Sequence, residues 1–390
     1  MPPVDGFPLG TTVTVEQLET DPHPVLAILR EHEPVSWIPA LDGWLITRYD
    51  LALDVMRDAA TFTVDDRRFS TAQVIGPSML SLDGDPHARH RAPFVGPFRP
   101  RAVQSRFADA VALEAGRLIA QLRPTGAAEL RRAFAGPLAA SIVSRALGLG
   151  SEETPTVLAW YDSIVSAVTA ITAGDALPAA GVEAFSALHA RLRSVIDDEP
   201  GSLLAGVATS SALSADEIVS NAAVLLFGGI ETTEGMIANT ALHLLARSDE
   251  LARARGEPQV LDRAIEESLR LEPAAAVIDR YATTEATLDG ATIRRGDLVR
   301  ISIAAANRDP AVFVDPDAFD LTRTNARRHL AFAQGPHVCV GVHLARLEAR
   351  TALGLLLTSL PGLRLDPARS PAVRGLVFRK PLSLHALWDV

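Results

Sequence analysis

Cysteine is nearly absent from this chain: Cys339 is the only one in 390 residues. That excludes an internal disulfide framework and leaves no cysteine set for an iron–sulfur cluster. Lysine is equally scarce, since only Lys380 among the 37 basic side chains is not an arginine. Arginine holds its charge when buried and binds carboxylates in a bidentate way, although GC-rich coding alone would also produce such a composition. Aromatic residues make up only 5%, so aliphatic side chains and alanine must fill the core. There is no basic excess: the net charge of -10 argues against general nucleic-acid binding. The opening MPPVDGFPLG has no basic stretch followed by an apolar run, so no signal peptide is expected. The most apolar segment, Ala222 to Ala246, is interrupted by Glu231 and Glu234 and reads as a buried helix, not a membrane span. Internal repeats and low-complexity tracts are lacking too. The expectation is a soluble cytoplasmic protein with no nucleic-acid or membrane partner.

What is present is enough apolar material, 48%, for a large core. Strands are expected around Val35–Trp37 and Trp44–Thr47, with a turn at Asp42–Gly43. Helical patterns run near Arg101–Leu122, Ala133–Leu147, Pro155–Ile171, Val182–Asp197, Ala215–Arg247, Val260–Leu271 and Val342–Leu360. Pro273 closes the helix that carries Arg270. Turn signals in Leu288–Val299 and an alternating pattern near Leu382–Leu387 indicate small β-elements. No βαβ alternation appears, so a doubly wound fold is not expected. The fold class is therefore mainly α with small β-sheets, a single domain over residues 1–390.

The lone thiol lies in FAQGPHVCVG, Phe332 to Gly341, just before a long helical run. Free backbone N–H groups at a helix start favour a thiolate, and Gly335 and Gly341 permit close approach of a flat partner. A thiolate so placed suits axial ligation of haem iron. Two other readings stand beside this one. A lone cysteine is often a small buried hydrophobe, and His337, Cys339 and His343 could contribute to a zinc site, though a fourth ligand is missing.

The stretch resembles the haem-binding signature of the cytochromes P450, FGxGxHxCxG: Phe332, Gly335, His337, Cys339 and Gly341 match, and Ala333 replaces the usual glycine. Four further segments, in the same order as in that family, extend the resemblance over about residues 80 to 345. FGGIETT, Phe227 to Thr233, is similar to the family's (A/G)Gx(D/E)T. The likeness implies a helix widened at Gly228, Thr232 as the alcohol hydrogen-bonding where oxygen is activated, and Glu231 as the acid relaying protons from solvent. Read without the likeness, the glycines would serve close helix packing and the threonines would back-bond to the preceding turn. EESLR matches ExxR through Glu267 and Arg270, and Arg323 stands where the family has its third partner; the implied role is a buried structural network. DPHARHR supplies His87 and Arg91, which with Arg280 and His337 are implied propionate ligands; ANRDP, Ala306 to Pro310, also matches.

The resemblance implies a haem-thiolate monooxygenase of the soluble bacterial type, with haem b held by the Cys339 thiolate. It would insert one oxygen atom of O2 into an apolar small molecule, a secondary metabolite by hydroxylation or epoxidation. No Gly-rich nucleotide loop and no cysteine set accompany it, so no fused reductase is expected and electrons would come from a separate ferredoxin and ferredoxin reductase. Arg89, Arg99, Arg346 and Arg350 are candidates for their docking face. By position in the family pattern Met79, Leu80, Val224, Phe227, the stretch Ala275–Ile278 with Ala276, Val277 and Ile278, and Val377 with Phe378 would line the pocket, core packing being the alternative for most of them. Desaturation or oxidative coupling by the same group, and a non-catalytic haem sensor or carrier, are the competing functions.

Overall fold

The longest helix begins at a reciprocal cap: the Ser214 hydroxyl accepts from the Glu217 N–H, and the Glu217 carboxylate accepts from the Ser214 N–H. From there Ala215–Leu245 runs for 31 residues, about 46 Å of continuous helix. Its sequence is apolar on nearly every side, and a helix of that kind is stable only when surrounded. Gly136–Leu147, Ala179–Asp198, Pro258–Leu271 and Val342–Ser359 pack around it. The amide nitrogen of its buried Asn239 donates to the carbonyls of Glu272 and Arg379, each at 3.0 Å, tying the helix to two distant segments.

The computed structural model describes residues 6–172 and 176–390. Each expected long helix is present within a few residues of its predicted ends: Pro100–Leu122, Gly136–Leu147, Thr154–Thr172, Ala179–Asp198, Ala215–Leu245, Pro258–Leu271 and Val342–Ser359. One departs in kind. The turn Arg131–Ala135 is a π-helix leading into Gly136–Leu147. Pro137 has no N–H to offer the carbonyl four residues back, which favours a wider turn there. Periodicity did not reveal the shorter helices His23–His32, Tyr49–Arg57, Ser70–Ile75, Leu203–Ser210 and Ser248–Gly256; six to ten residues hold too few turns for an apolar stripe to stand out.

The sheets are small and lie to one side. Val35–Ile38 and Gly43–Ile46 form an antiparallel hairpin with Trp37 opposite Trp44. The hairpin joins Leu298–Ser302 in parallel, then Val277–Ala282 and Phe62–Thr63. The β-patch expected over residues 288–299 resolves into Ala286–Leu288, Ala291–Ile293 and the start of Leu298–Ser302. Near the C-terminal end, Lys380–Pro381 and His385–Leu387 are strands. Among the described residues no helix is long and apolar enough to cross a membrane. This mainly helical body with minor sheets is the expected fold class.

Candidate active site

The Cys339 loop is closed by its own backbone. The Cys339 N–H donates to the Phe332 carbonyl at 2.9 Å, and Gly341 caps the helix Val342–Ser359. Gly335 sits at φ +73°, where a Cβ would lie 2.5 Å from the Met56 carbonyl oxygen; any side chain would drive the loop off that neighbour. Ala333, in the position where the signature has glycine, also adopts a left-handed φ of 55°. An L-residue in that region costs about 1–2 kcal/mol. Ala333→Gly is therefore expected to stabilise the protein by up to about 1 kcal/mol, read as a higher denaturation midpoint; an unchanged or lower midpoint would show that the loop does not carry this strain. Burial pushes the Cys339 thiol above its ordinary range, opposed by the Gly341 N–H and by the charges of Arg91 and Arg346. The Arg346 guanidinium lies over the Phe332 ring at 4.7 Å.

A second group of side chains meets this loop. The His87 and His337 rings are 4.4 Å apart, and His337 Nε2 pairs with Asp83 Oδ1 at 2.8 Å. Burial, with the nearby charges of His337 and Arg91, lowers His87 to about 4, and its Nε2 is buried without a partner among the described residues. Arg91 donates to the Val338 carbonyl in the cysteine loop. Arg280 is buried at 4% exposure and bonded to the Asp279 carbonyl; burial lowers its pKa, and the charges of Asp83 and Asp279 oppose that. A cysteine sulfur at a helix start, a buried imidazole nitrogen without a partner, the buried Arg280 guanidinium and the half-buried Arg91 make a donor set for a metal-bearing ring with carboxylate arms. The residues fit haem. The zinc alternative finds no ligand set: among the described residues no three or more His, Cys, Asp or Glu side chains are placed to hold a metal.

The Glu267–Arg270–Arg323 constellation is assembled. Arg270 and Glu267 are both 0% exposed and joined by two bonds of 2.8 Å, Nε to Oε2 and Nη2 to Oε1. Arg270 also donates to the carbonyls of Asn307, Pro316 and Ala318. Arg323 Nε reaches Glu267 Oε1 at 3.0 Å, and its remaining donors bond Val314 and Asp315. The Asp320 N–H completes the carboxylate's shell at 3.0 Å.

On the central helix the widening expected at Gly228 is not seen, because Ala215–Leu245 is one α-helix throughout. The Thr232 hydroxyl instead donates to the Gly228 carbonyl at 2.7 Å, an i−4 back-bond that saturates the carbonyl without opening the helix. Gly229 serves packing: a Cβ there would lie 2.9 Å from Val143 Cγ2 on the neighbouring helix. Glu231 is buried and paired with Lys380 Nζ at 2.8 Å. Lys380 also contacts Glu234 Oε2, and Glu234 Oε1 accepts from Arg131 Nε at 3.0 Å. Sequence reasoning missed Lys380, Arg131, Glu234 and Asp83 as site residues. A signal existed: two carboxylates three apart on an apolar helix require cations, and the chain has a single lysine.

Some expected residues are placed differently. Met79, Val224 and Phe227 belong to one apolar cluster with Leu80 and Phe378 packed on it, and the Phe227 and Phe378 rings are 5.7 Å apart. Ala276 packs instead with Leu26, Leu29, Ile38 and Leu45, and Ile278 against the separate sheet cluster that holds Val299 and Ile301. Val277 joins Ala276 at a small crevice beside Leu18 and Leu26. Val377 contributes its carbonyl to the Ala276 N–H. Of the arginines expected on a docking face, Arg89 pairs with Glu217, Arg346 with Glu266 and Arg350 with Asp262. Each is drawn to a carboxylate of a neighbouring helix that the sequence pattern did not connect to it.

The sequence profile of cytochrome P450 matches residues 193–361. The chain is 33% identical over 387 residues to the cytochrome P450 monooxygenase PikC of Streptomyces venezuelae, covering 93% of this chain and 91% of that one. It is 32% identical over 377 residues to the mycinamicin IV hydroxylase/epoxidase of Micromonospora griseorubida, covering 92% and 94%. The structure of P450BioI in complex with an acyl carrier protein ligated to hexadec-9Z-enoic acid superposes with a TM-score of 0.87 at 28% identity, covering 96% of this chain and 100% of that one.

Proposed function

The chain belongs to the cytochrome P450 family of monooxygenases, and we propose that it inserts one atom of O2 into an apolar secondary metabolite, by hydroxylation or epoxidation, with haem held by Cys339. The observation that carries this reading is the closed Cys339 loop, with its sulfur at the start of Val342–Ser359 and the buried, partnerless His87 Nε2 beside it. His87, Arg91, Arg280 and His337 would hold the two carboxylate arms; His337 would keep or exchange its bond to Asp83. When bound, haem supplies the activation of dioxygen and the oxidising power for insertion.

The remaining work belongs to the chain. The Glu267 network braces the loop after Asn307, which leads on to the cysteine. The Met79–Val224–Phe227–Phe378 cluster offers an apolar wall suited to an apolar substrate. Glu231 holds a buried carboxylate next to Thr232, whose hydroxyl can leave the Gly228 carbonyl to donate elsewhere or accept from a water. These two residues carry protons toward the reacting oxygen. A ferredoxin and its reductase would supply the electrons.

The ferrous–CO difference spectrum tests the ligation. A strongly red-shifted Soret band is expected, and a band typical of a neutral axial ligand would refute thiolate binding. Thr232→Ala tests the proton path. NADH consumption should continue while product per NADH falls about tenfold or more and peroxide rises; unchanged coupling would remove Thr232 from the mechanism.

A further inference from the structure

Glu231 is not a free carboxylate at the end of a relay. It is 4% exposed, and among the described residues its ion-pair partner is Lys380, at 2.8 Å. Lys380 is the one lysine in the chain, and it bridges two acids of the same helix, Glu231 and Glu234. The two acids are not held alike. Glu234 has two cations, Lys380 on Oε2 and Arg131 on Oε1, whereas Glu231 has Lys380 alone. Arg131 also donates through Nη1 to the carbonyls of Pro381 and Leu382, so it grips the strand directly after Lys380. The lysine is thus anchored twice, through Glu234 and through the Arg131 bonds to the carbonyls of Pro381 and Leu382 directly after it, and neither anchor depends on Glu231. Two carboxylates and two cations make the cluster neutral, which suits its burial. It draws on three elements: the central helix, the π-turn Arg131–Ala135 and the strand Lys380–Pro381.

From this asymmetry we infer that Lys380 is a positioning residue for the proton-relay acid: an anchored ammonium that holds Glu231 in one place and lets go of it while remaining fixed to Glu234. This role rests on the monooxygenase reading of the Glu231–Thr232 segment. The geometry makes Glu231 the mobile partner, because breaking its single ion pair leaves Lys380 still compensated, whereas Glu234 would have to break two. A carboxylate delivering protons one at a time to a buried site needs a fixed resting position and a partner it can leave, and the clasp supplies both. Nothing beyond the proton is transferred, and the electrons remain those of the monooxygenase reaction.

Two independent measurements test it on the holoenzyme. The first is reductive methylation with formaldehyde and a hydride reductant, followed at Lys380 by peptide mass spectrometry. Lys380 is expected to react at least about tenfold more slowly in the folded than in the urea-unfolded protein, and Glu231→Gln and Glu234→Gln should each speed it. An amine as reactive in the folded protein as in the unfolded one would overturn the clasp. The second is turnover. Lys380→Met is expected to keep the red-shifted ferrous–CO band while product per NADH falls about fivefold or more and its pH dependence changes, with both restored by Lys380→Arg. Unchanged yield and pH dependence in Lys380→Met would overturn the positioning role. If Lys380→Met loses the thiolate band, Glu234→Gln is read instead: it removes the charged side-chain anchor of the ammonium, and an unchanged yield there overturns the proposal equally. Absence of the red-shifted band in the unsubstituted protein would overturn the haem reading and the positioning role together, while a protected amine would still establish the clasp.

Discussion

Cys339→Ser is expected to abolish monooxygenation while leaving a folded protein. Changes in groups that merely support a metal's ligands cost about 10–100-fold in affinity or activity, so loss of the ligating sulfur should exceed that. The physical argument is local. The loop does not depend on the sulfur for its shape: the Cys339 N–H to Phe332 carbonyl bond, the left-handed Gly335 and the following helix are all backbone features that serine preserves. What serine removes is the soft, polarizable anion that a soft or borderline metal prefers. The checks are the ferrous–CO spectrum, which should lose its red shift, and turnover, which should vanish. A variant that keeps both would mean that the sulfur is a buried hydrophobe and that another group holds the iron.

The largest effect on stability is expected from the Glu267–Arg270 pair. Arg270→Leu removes the partner of a fully buried carboxylate and leaves the carbonyls of Asn307, Pro316 and Ala318 without their donor. Breaking a buried pair in this way costs roughly 3–5 kcal/mol, a large share of the 5–15 kcal/mol by which a folded domain is typically stable. Arg323 and the Asp320 N–H still reach Glu267, so the stranded charge is only partly exposed to the loss. The measurement is the denaturation midpoint together with haem retention during purification. The double variant with Glu267→Leu should lose less than the two single losses added, because each single change leaves the other charge uncompensated. Additive losses, or a single loss below about 1 kcal/mol, would show that the pair acts like an exposed one.

Much of the candidate site was legible in the sequence. Cys339, Glu267 with Arg270, and Glu231 with Thr232 lie in short segments that resemble cytochrome P450 motifs; spacing alone pointed to the sulfur before a helix but left the other two pairs as an ordinary ion pair and a closely packed helix. Arg323 was placed from the segment before the cysteine loop, and it reaches Glu267 across 56 positions. The long helices were legible because their apolar period is read from neighbours in the chain. That the helix stays unwidened at Gly228 was not legible, because whether the Thr232 hydroxyl turns back on a carbonyl or outward is decided by the packing around it. Ala276 was assigned to the pocket on its position in a family pattern, and the sheet instead turned it toward Leu26 and Leu45.

Taken by itself, the chain determined its mainly helical class, its one thiol, its one lysine and the acids that need partners, because these are matters of residue type and short-range spacing. Only the tertiary structure decided which partners meet. Lys380 closes on Glu234 across 146 positions, Arg131 on Glu234 across 103, and His337 on Asp83 across 254. Periodicity carries no information over such separations. A buried charge must nevertheless find an opposite one, since leaving it alone in an apolar interior is far costlier than bringing a distant strand or turn to it. Folding therefore selected, from many arginines and a single lysine, the cations that stand beside Glu231, Glu234 and Glu267.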